Sequence, residues 1–226
     1  MNSTYSVSLG LFAKYPEAGR VKTRLIPMLG DQGAAQFARW LLLKAVQKTS
    51  AFYAEGTAVR INLWTDGGNE TLWKGLLSLL NMPIDLHFHP QIQGHLGERM
   101  RHATRIQLNE SSVSMLLGPD AVRFSQADFT SLLMAVQQSG LAFTPADDGG
   151  YVALACGRLV DCIFSESITW GSEQVAQQTR TLLGSAQESA LWLPSQPYID
   201  EPADLQRALK EGLVPSDWAS EYSGKA

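Results

Sequence analysis

Residues 7–25 read VSLGLFAKYPEAGRVKTRL, an apolar run that stops at a proline and continues as a loop crowded with cations. Val7, Leu9 and Leu11 fall on one side of an extended segment and Phe12 on the other, the pattern of a buried first strand. Pro16 and Gly19 end it. Lys14, Arg20, Lys22 and Arg24 lie within eleven residues. The last three alternate at spacing two, so an extended backbone would aim them to one side, whereas a helix would throw Lys22 to the opposite face. Open α/β sheets bind ligands beyond the carboxyl ends of their strands, so these cations, with Gly19 in their loop, point to a phosphate-bearing ligand. A solvated basic loop would account for the cluster equally well, and other stretches must decide. The stretch is not a P-loop: Val21 stands where that motif needs Gly before its Lys, and Pro16 where it needs the first Gly.

The 226 residues are 45% hydrophobic, enough to bury a full core as a single domain spanning 1–226. No low-complexity block, internal repeat or Pro/Ser-rich linker interrupts them. Eighteen basic residues against 22 acidic ones leave a net charge of −4, which argues against a general nucleic-acid binder. The cations are local, not global. The opening MNSTYSVSLG has neither the basic start nor the long apolar core of a signal peptide, and no stretch reaches the length of a membrane span, so the expected location is cytoplasmic. Cys156 and Cys162 are too few for a disulfide scaffold and lack zinc-site spacing, and both read as buried thiols.

After the basic loop, Asp31 can cap a helix whose stripe is Phe37, Leu41, Leu42, Ala45 and Val46. Residues 58–64 alternate as a second strand, a short helix carries Leu72, Leu76, Leu77 and Leu80, and residues 84–88 form a third strand. His87 and His89 lie two apart there, but with no third ligand nearby they read as packed or surface residues. QIQGHLGERM leads into a helix from Leu96 to about Asn109, and glycines ahead of this basic helix, Gly97 and Arg99 among its first residues, can sit close to an anion.

Residues 113–117 form a fourth strand that ends directly on GPD, placing Asp120 past its carboxyl edge, where a carboxylate can hold magnesium or manganese together with substrate diphosphate oxygens. An Asx-turn is the competing reading for Asp120. Ser125 and Asp128 resemble a capping box at the start of the next helix. A strand from Leu141 then meets PADDGGY before an apolar strand through Val152 and Leu154 resumes. Gly149 and Gly150 allow backbone to approach a ligand, and Asp147 and Asp148 offer carboxylates for metal or general-base work. A hairpin turn is the structural alternative. ITWGSEQV opens a helix through Val175 and Leu182, ALWLP reads as a strand, and a last helix follows YIDEPADL, with Asp200 or Glu201 capping it and Pro202 in its first turn. The order βαβαβαβα, ββ, αβα calls for an α/β fold: a mixed, mostly parallel doubly wound sheet with helices on both faces.

Taken together, FAKYPEAGRVKTRL, GHLGERM, LLGPDAV, TPADDGGYVAL, ITWGSE and IDEPADL resemble, in order and over nearly the whole chain, a bacterial family similar to nucleotide-diphospho-sugar transferases, often called selenodomain-associated or arsenosugar-type glycosyltransferases. The resemblance implies a Rossmann-like glycosyltransferase-A fold that binds a nucleotide diphosphate, usually with a divalent metal, and it is distantly similar to guanylyl- and cytidylyltransferases. It carries the basic loop onto Lys14, Arg20, Lys22 and Arg24, the glycine motif onto Gly97, Glu98 and Arg99, the acidic loop onto Asp148, Gly149, Gly150 and Tyr151, and the metal aspartate onto Asp120. Two departures stand out. Where the family has Gly-Ser/Thr-Asp-Cys-Pro, this chain has GPDAV, and Pro119 removes a hydroxyl and a backbone N–H. Where the family has Asp-Val-Asp-Thr-Pro, Tyr198 replaces the first Asp and Asp200 keeps the second.

The leading expectation is a transferase that moves a glycosyl group from a nucleotide-diphospho-sugar to an acceptor the sequence does not identify. Mg2+ or Mn2+ would sit near Asp120, with Asp148, beside Asp147, as a second ligand or as the base. Nucleotidyl transfer from a nucleoside triphosphate is the alternative. A non-catalytic nucleotide-binding domain is the third, motivated by the altered GPDAV loop.

Overall fold

The computed structural model describes residues 5–82 and 85–221. Its core is a seven-stranded sheet in the order β3-β2-β1-β4-β6-β5-β7, made of β1 (Tyr5–Lys14), β2 (Thr57–Asp66), β3 (Leu86–Pro90), β4 (Val113–Leu117), β5 (Leu141–Pro145), β6 (Tyr151–Cys156) and β7 (Leu191–Trp192). β1 runs parallel to β2 and β4, β2 to β3, and β5 to β7, while β6 alone is antiparallel to its neighbours β4 and β5. This is the mixed α/β sheet that the hydrophobic patterning predicts. The expected start of β3 at Ile84 lies outside the described residues.

Strand alternation sorts the core into two faces. Val7, Leu9 and Leu11 of β1 pack with Met115 and Leu117 against α1 (Ile26–Thr49), α2 (Glu70–Leu77) and α4 (Gln126–Ser139). Leu116, Phe143 and Leu154 face α3 (Leu96–Glu110) and α5 (Val175–Ser185) on the other side. Each fully buried leucine contributes about 2 kcal/mol of transfer free energy. Gly10 leaves room on the second face for Gln107 of α3 and the Trp64 ring, whose atoms a Cβ there would meet at 2.4 and 2.9 Å.

Several boundaries differ from the sequence pattern. α1 starts before Asp31, at Ile26, and breaks at Gly30 (φ 69, ψ 170), so the helix expected from Asp31 is the part after a kink. ALWLP contributes only two residues to β7. ITWGSEQ is a run of turns, and α5 begins at Val175. α6 (Pro202–Lys210) is capped by Glu201 and Asp204, which form a capping box, rather than by Asp200. A short α7 (Trp218–Glu221) packs its Trp218 edge-on to Phe37 of α1, a contact too short in sequence to show any period. Ser125 and Asp128 do form the capping box of α4. No helix among the described residues is long and apolar enough to cross a membrane.

The strand order reverses between β1 and β4, since the chain builds outward from β1 through β2 to β3 and then returns to the opposite side. Such a switch point opens a crevice at the carboxyl ends of the two strands. Leu11 pairs with Leu117 there, so the loops after Lys14 and after Leu117 rise side by side.

Candidate functional site

The loop after β1 is shaped by what it buries. Tyr15 N–H donates to the Asp66 carbonyl at 2.8 Å, Gly19 turns the chain at φ 76, and Val21 and Leu25 are buried. Leu25 is fully covered by a cluster containing Phe37, Leu41 and Leu205. The backbone between these anchors is not extended: Lys22 takes a left-handed conformation (φ 47, ψ 41) and Thr23–Leu25 is a single turn of 3-10 helix. The expectation that Arg20, Lys22 and Arg24 share one side is therefore corrected. Arg20 and Arg24 are more than half exposed, with Arg20 paired to Glu17 at 3.0 Å, whereas only 8% of the Lys22 side chain is accessible. All three, with Lys14, still line one cleft of about 830 Å³ at the switch point.

Lys22 points inward, onto acids. Its Nζ lies 3.0 Å from Asp120 Oδ2 and 3.4 Å from Asp200 Oδ1, donates to the Ile199 carbonyl at 2.5 Å, and stands 5.1 Å from the centroid of the Tyr198 ring. Arg24 reaches the other oxygen of Asp200 at 2.8 Å. Asp120 itself is buried, on a tight loop held by Gly118 N–H donating to the Val152 carbonyl at 3.2 Å, by Phe124 in the core, and from behind by Lys48, whose ammonium donates to the Val122 carbonyl at 2.7 Å. Burial lowers the pKa of Lys48. The Tyr198 hydroxyl is held protonated well above its usual range, first by burial, then by the charge of Asp120 and a hydrogen bond to it, and then by Asp200 and Asp148.

The acidic loop joins antiparallel β5 and β6 and is a hairpin connection, as its structural alternative requires. Asp148 Oδ1 accepts from Gly150 N–H at 3.0 Å, an Asx-type bond within the loop, yet Asp148 and Gly150 also line the cleft. Asp147 is exposed, is not on the cleft wall, and ties its backbone N–H to the Gln196 carbonyl at 3.0 Å. Gly149 is used for packing, with φ 87 and its Cα pressed against the segment before α5. Tyr151 borders the cleft, but its hydroxyl is hydrogen-bonded to Thr179 and burial pushes its pKa up, so the phenol is committed to α5.

Gly97 and Arg99, expected near an anion, stand apart from the cleft wall. A Cβ on Gly97 would meet the Phe164 carbonyl and the Trp170 ring at 2.6 Å, so this glycine serves helix packing. Arg99 donates to the Gly94 carbonyl at 2.9 Å and pairs with Asp66 at 3.1 Å. The N-terminus of α3 already has its acceptors: His95 and Glu98 form a capping box, which fills the place an anion would take. His89 is likewise packed, stacked on Trp64 at 4.6 Å and bonded to Asn62 Oδ1 at 3.0 Å.

Asp200 is the site residue that helix-cap reasoning misplaces. The signal for it lies in its match to the second aspartate of the Asp-Val-Asp-Thr-Pro pattern. Among the described residues no group of three His, Cys, Asp or Glu side chains forms a metal-ligand set. Nevertheless, Asp120 Oδ2, Asp200 Oδ1 and the Ile199 carbonyl all lie within 3.4 Å of one point, the Lys22 nitrogen. Two carboxylates and a carbonyl, completed by substrate oxygens, suit a hard divalent cation. The cleft lining also carries four cations, Lys14, Arg20, Lys22 and Arg24, against six carboxylates, Asp120, Asp148, Glu173, Asp200, Glu201 and Asp204. An acidic excess of that kind favours the entry of positive charge beside any anion bound there.

Residues 49–172 match a family described as "Uncharacterized protein conserved in bacteria (DUF2064)". No curated protein matches the sequence. Among solved structures, one from Desulfovibrio desulfuricans G20, described as a "putative nucleotide-diphospho-sugar transferase", is 27% identical with a TM-score of 0.79, covering 96% of this chain and 92% of that one. Two others share the fold at 12% identity: 4-diphosphocytidyl-2C-methyl-D-erythritol synthase from Anaerococcus prevotii DSM 20548 (TM-score 0.61; 92% and 96% covered) and a CMP:2-keto-3-deoxy-manno-octonic acid synthetase complexed with CTP (TM-score 0.57; 92% and 98% covered).

Proposed function

Because the chain belongs to the DUF2064 family, whose fold here is that of nucleotide-diphospho-sugar transferases and cytidylyltransferases, we propose that it is a transferase binding a nucleotide-diphospho-sugar in the switch-point cleft and passing the glycosyl group to an acceptor. The observation that carries this reading is the meeting of Lys22, Asp120 and Asp200 at the carboxyl ends of β1 and β4. Glycosyl transfer breaks the bond from the anomeric carbon to the diphosphate and joins that carbon to an acceptor oxygen. The leaving diphosphate must be neutralised and the acceptor proton removed. Arg20, Arg24 and Lys14 lie on the cleft wall and supply cationic donors for the diphosphate. Asp120, Asp200 and the Ile199 carbonyl would hold a magnesium or manganese ion, and a bound ion of that kind adds charge stabilisation to the leaving group. Asp148, also on the wall, keeps Oδ2 outside its Asx-type bond and can take the acceptor proton.

The second reading, nucleotidyl transfer from a nucleoside triphosphate, is favoured by the likeness to the cytidylyltransferase fold. Thermal shift in the presence of manganese separates the two, since a ligand of the native state raises its melting temperature. Stabilisation by nucleotide-diphospho-sugars beyond that given by nucleoside triphosphates supports glycosyl transfer. The reverse order supports nucleotidyl transfer, and stabilisation without turnover by either class supports a binding domain.

A further inference from the structure

We infer that the Lys22 ammonium is a tethered placeholder for a divalent cation, so that a diphosphate group and a metal ion enter this cleft cooperatively. The inference rests on the reading of the cleft as a diphosphate site. Its basis is the place where the ammonium lies: one nitrogen donates to the Ile199 carbonyl at 2.5 Å and to Asp200 Oδ1 at 3.4 Å, and pairs with Asp120 Oδ2 at 3.0 Å. These are the oxygens a hard cation would use, and an ammonium and a metal ion cannot share them. While Lys22 sits there, it competes with any metal that approaches.

The tether is built for movement of the head, not of the stem. Val21 and Leu25 are buried on either side, which fixes the loop. Lys22 holds a left-handed backbone (φ 47) at the start of the 3-10 turn, and only its side-chain nitrogen is engaged by Asp120 and Asp200. Arg20 and Arg24, two residues before and after Lys22, are exposed on the cleft wall, each held by one carboxylate, Glu17 at 3.0 Å and Asp200 at 2.8 Å. A diphosphate brought in by them offers Lys22 a more strongly charged acceptor. When Lys22 turns to it, Asp120 loses its ammonium partner and Asp200 keeps only its pair with Arg24 at 2.8 Å, and a divalent cation becomes the group that restores neutrality. Each ligand thus improves the site of the other, and by linkage the effect is reciprocal.

The test titrates Mn2+ alone against the wild-type protein and Lys22→Met by calorimetry, then repeats both with saturating methylenediphosphonate, counting only Mn2+ free of the diphosphonate. The expected result is Mn2+ binding to Lys22→Met at least tenfold tighter than to wild type. Methylenediphosphonate should tighten Mn2+ binding to wild type severalfold and leave Lys22→Met nearly unchanged. Asp200→Asn added to Lys22→Met should cancel the gain. Equal Mn2+ affinities for folded wild type and Lys22→Met overturn the inference. Where Lys22→Met does not fold, the wild-type arm decides, and methylenediphosphonate that leaves Mn2+ affinity unchanged overturns it. If CDP, UDP and GDP all fail to raise the wild-type melting temperature, the transferase reading fails, while the comparison with Mn2+ alone still decides the role of Lys22.

Discussion

A Cβ on Gly149 would stand 1.9 Å from the carbonyl oxygen of Glu173, so the acidic loop and the segment entering α5 meet backbone to backbone. Ala176 N–H also donates to the Gly149 carbonyl at 2.9 Å, which makes this loop part of the start of α5. Gly149→Ala should therefore cost about 3 kcal/mol or more, from the positive φ of 87 and the clash with main chain together. Gly184, inside α5 with open space around it, gives the opposite sign: Gly184→Ala should stabilise by about 0.5–1 kcal/mol. Urea midpoints of the two variants check both.

Arg24 separates binding from stability. It is 57% exposed and its pair with Asp200 is open to solvent on the arginine side, so Arg24→Ala should change stability by less than about 1 kcal/mol. Loss of a charge-assisted donor on the cleft wall should still weaken binding of a nucleoside diphosphate severalfold and flatten its salt dependence. Calorimetric titration at two salt concentrations, beside a urea melt, measures the two effects independently. A large loss of stability with unaltered binding would reverse the assignment.

His89 gives stability an acid limit. Burial lowers its pKa below the ordinary 6.5. Between that lowered value and 6.5 the unfolded chain binds a proton that the folded chain does not, so stability is lost as pH falls below about 6.5 and is unaffected above it. His89→Gln should shrink the difference between urea midpoints at pH 7 and pH 5. A wild-type midpoint that stays constant over that interval, or rises toward acid, contradicts the sign.

The two cysteines should react in a fixed order. Cys156 is fully buried, and burial pushes its thiol up to about 12. Cys162, expected to be buried, is only half covered, although burial raises its pKa too. Iodoacetamide at pH 8 should label Cys162 slowly and leave Cys156 untouched, with both labelled once urea unfolds the chain. Mass spectrometry of the labelled peptides reads the order directly.

Sequence alone was sufficient wherever one residue's neighbours along the chain settle its environment. The apolar alternation of residues 7–11 and 113–117, the capping box of Ser125 with Asp128, and the position of Asp120 at a strand end could all be read in advance, because strand period and cap chemistry act over a few residues. The succession of strands and helices along the chain followed from the same patterns, whereas the order β3-β2-β1-β4-β6-β5-β7, and with it the switch point, came from the tertiary structure.

Tertiary structure decided which charges face one another. The spacing of Arg20, Lys22 and Arg24 suggests three equivalent phosphate ligands, but burial of Val21 and Leu25 folds the loop so that Lys22 alone turns inward. Its partner Asp200 lies 178 positions away along the chain, and nothing local to either residue encodes the pairing. The N-terminus of α3 looked open to an anion until His95 and Glu98 closed it, and Gly149 looked like a ligand-facing glycine until the Glu173 carbonyl arrived against it. A hydrophobic period survives any tertiary arrangement because the whole core enforces it. The direction of a charged side chain depends on the few groups that packing brings within hydrogen-bond reach, and those are fixed only when the chain closes on itself.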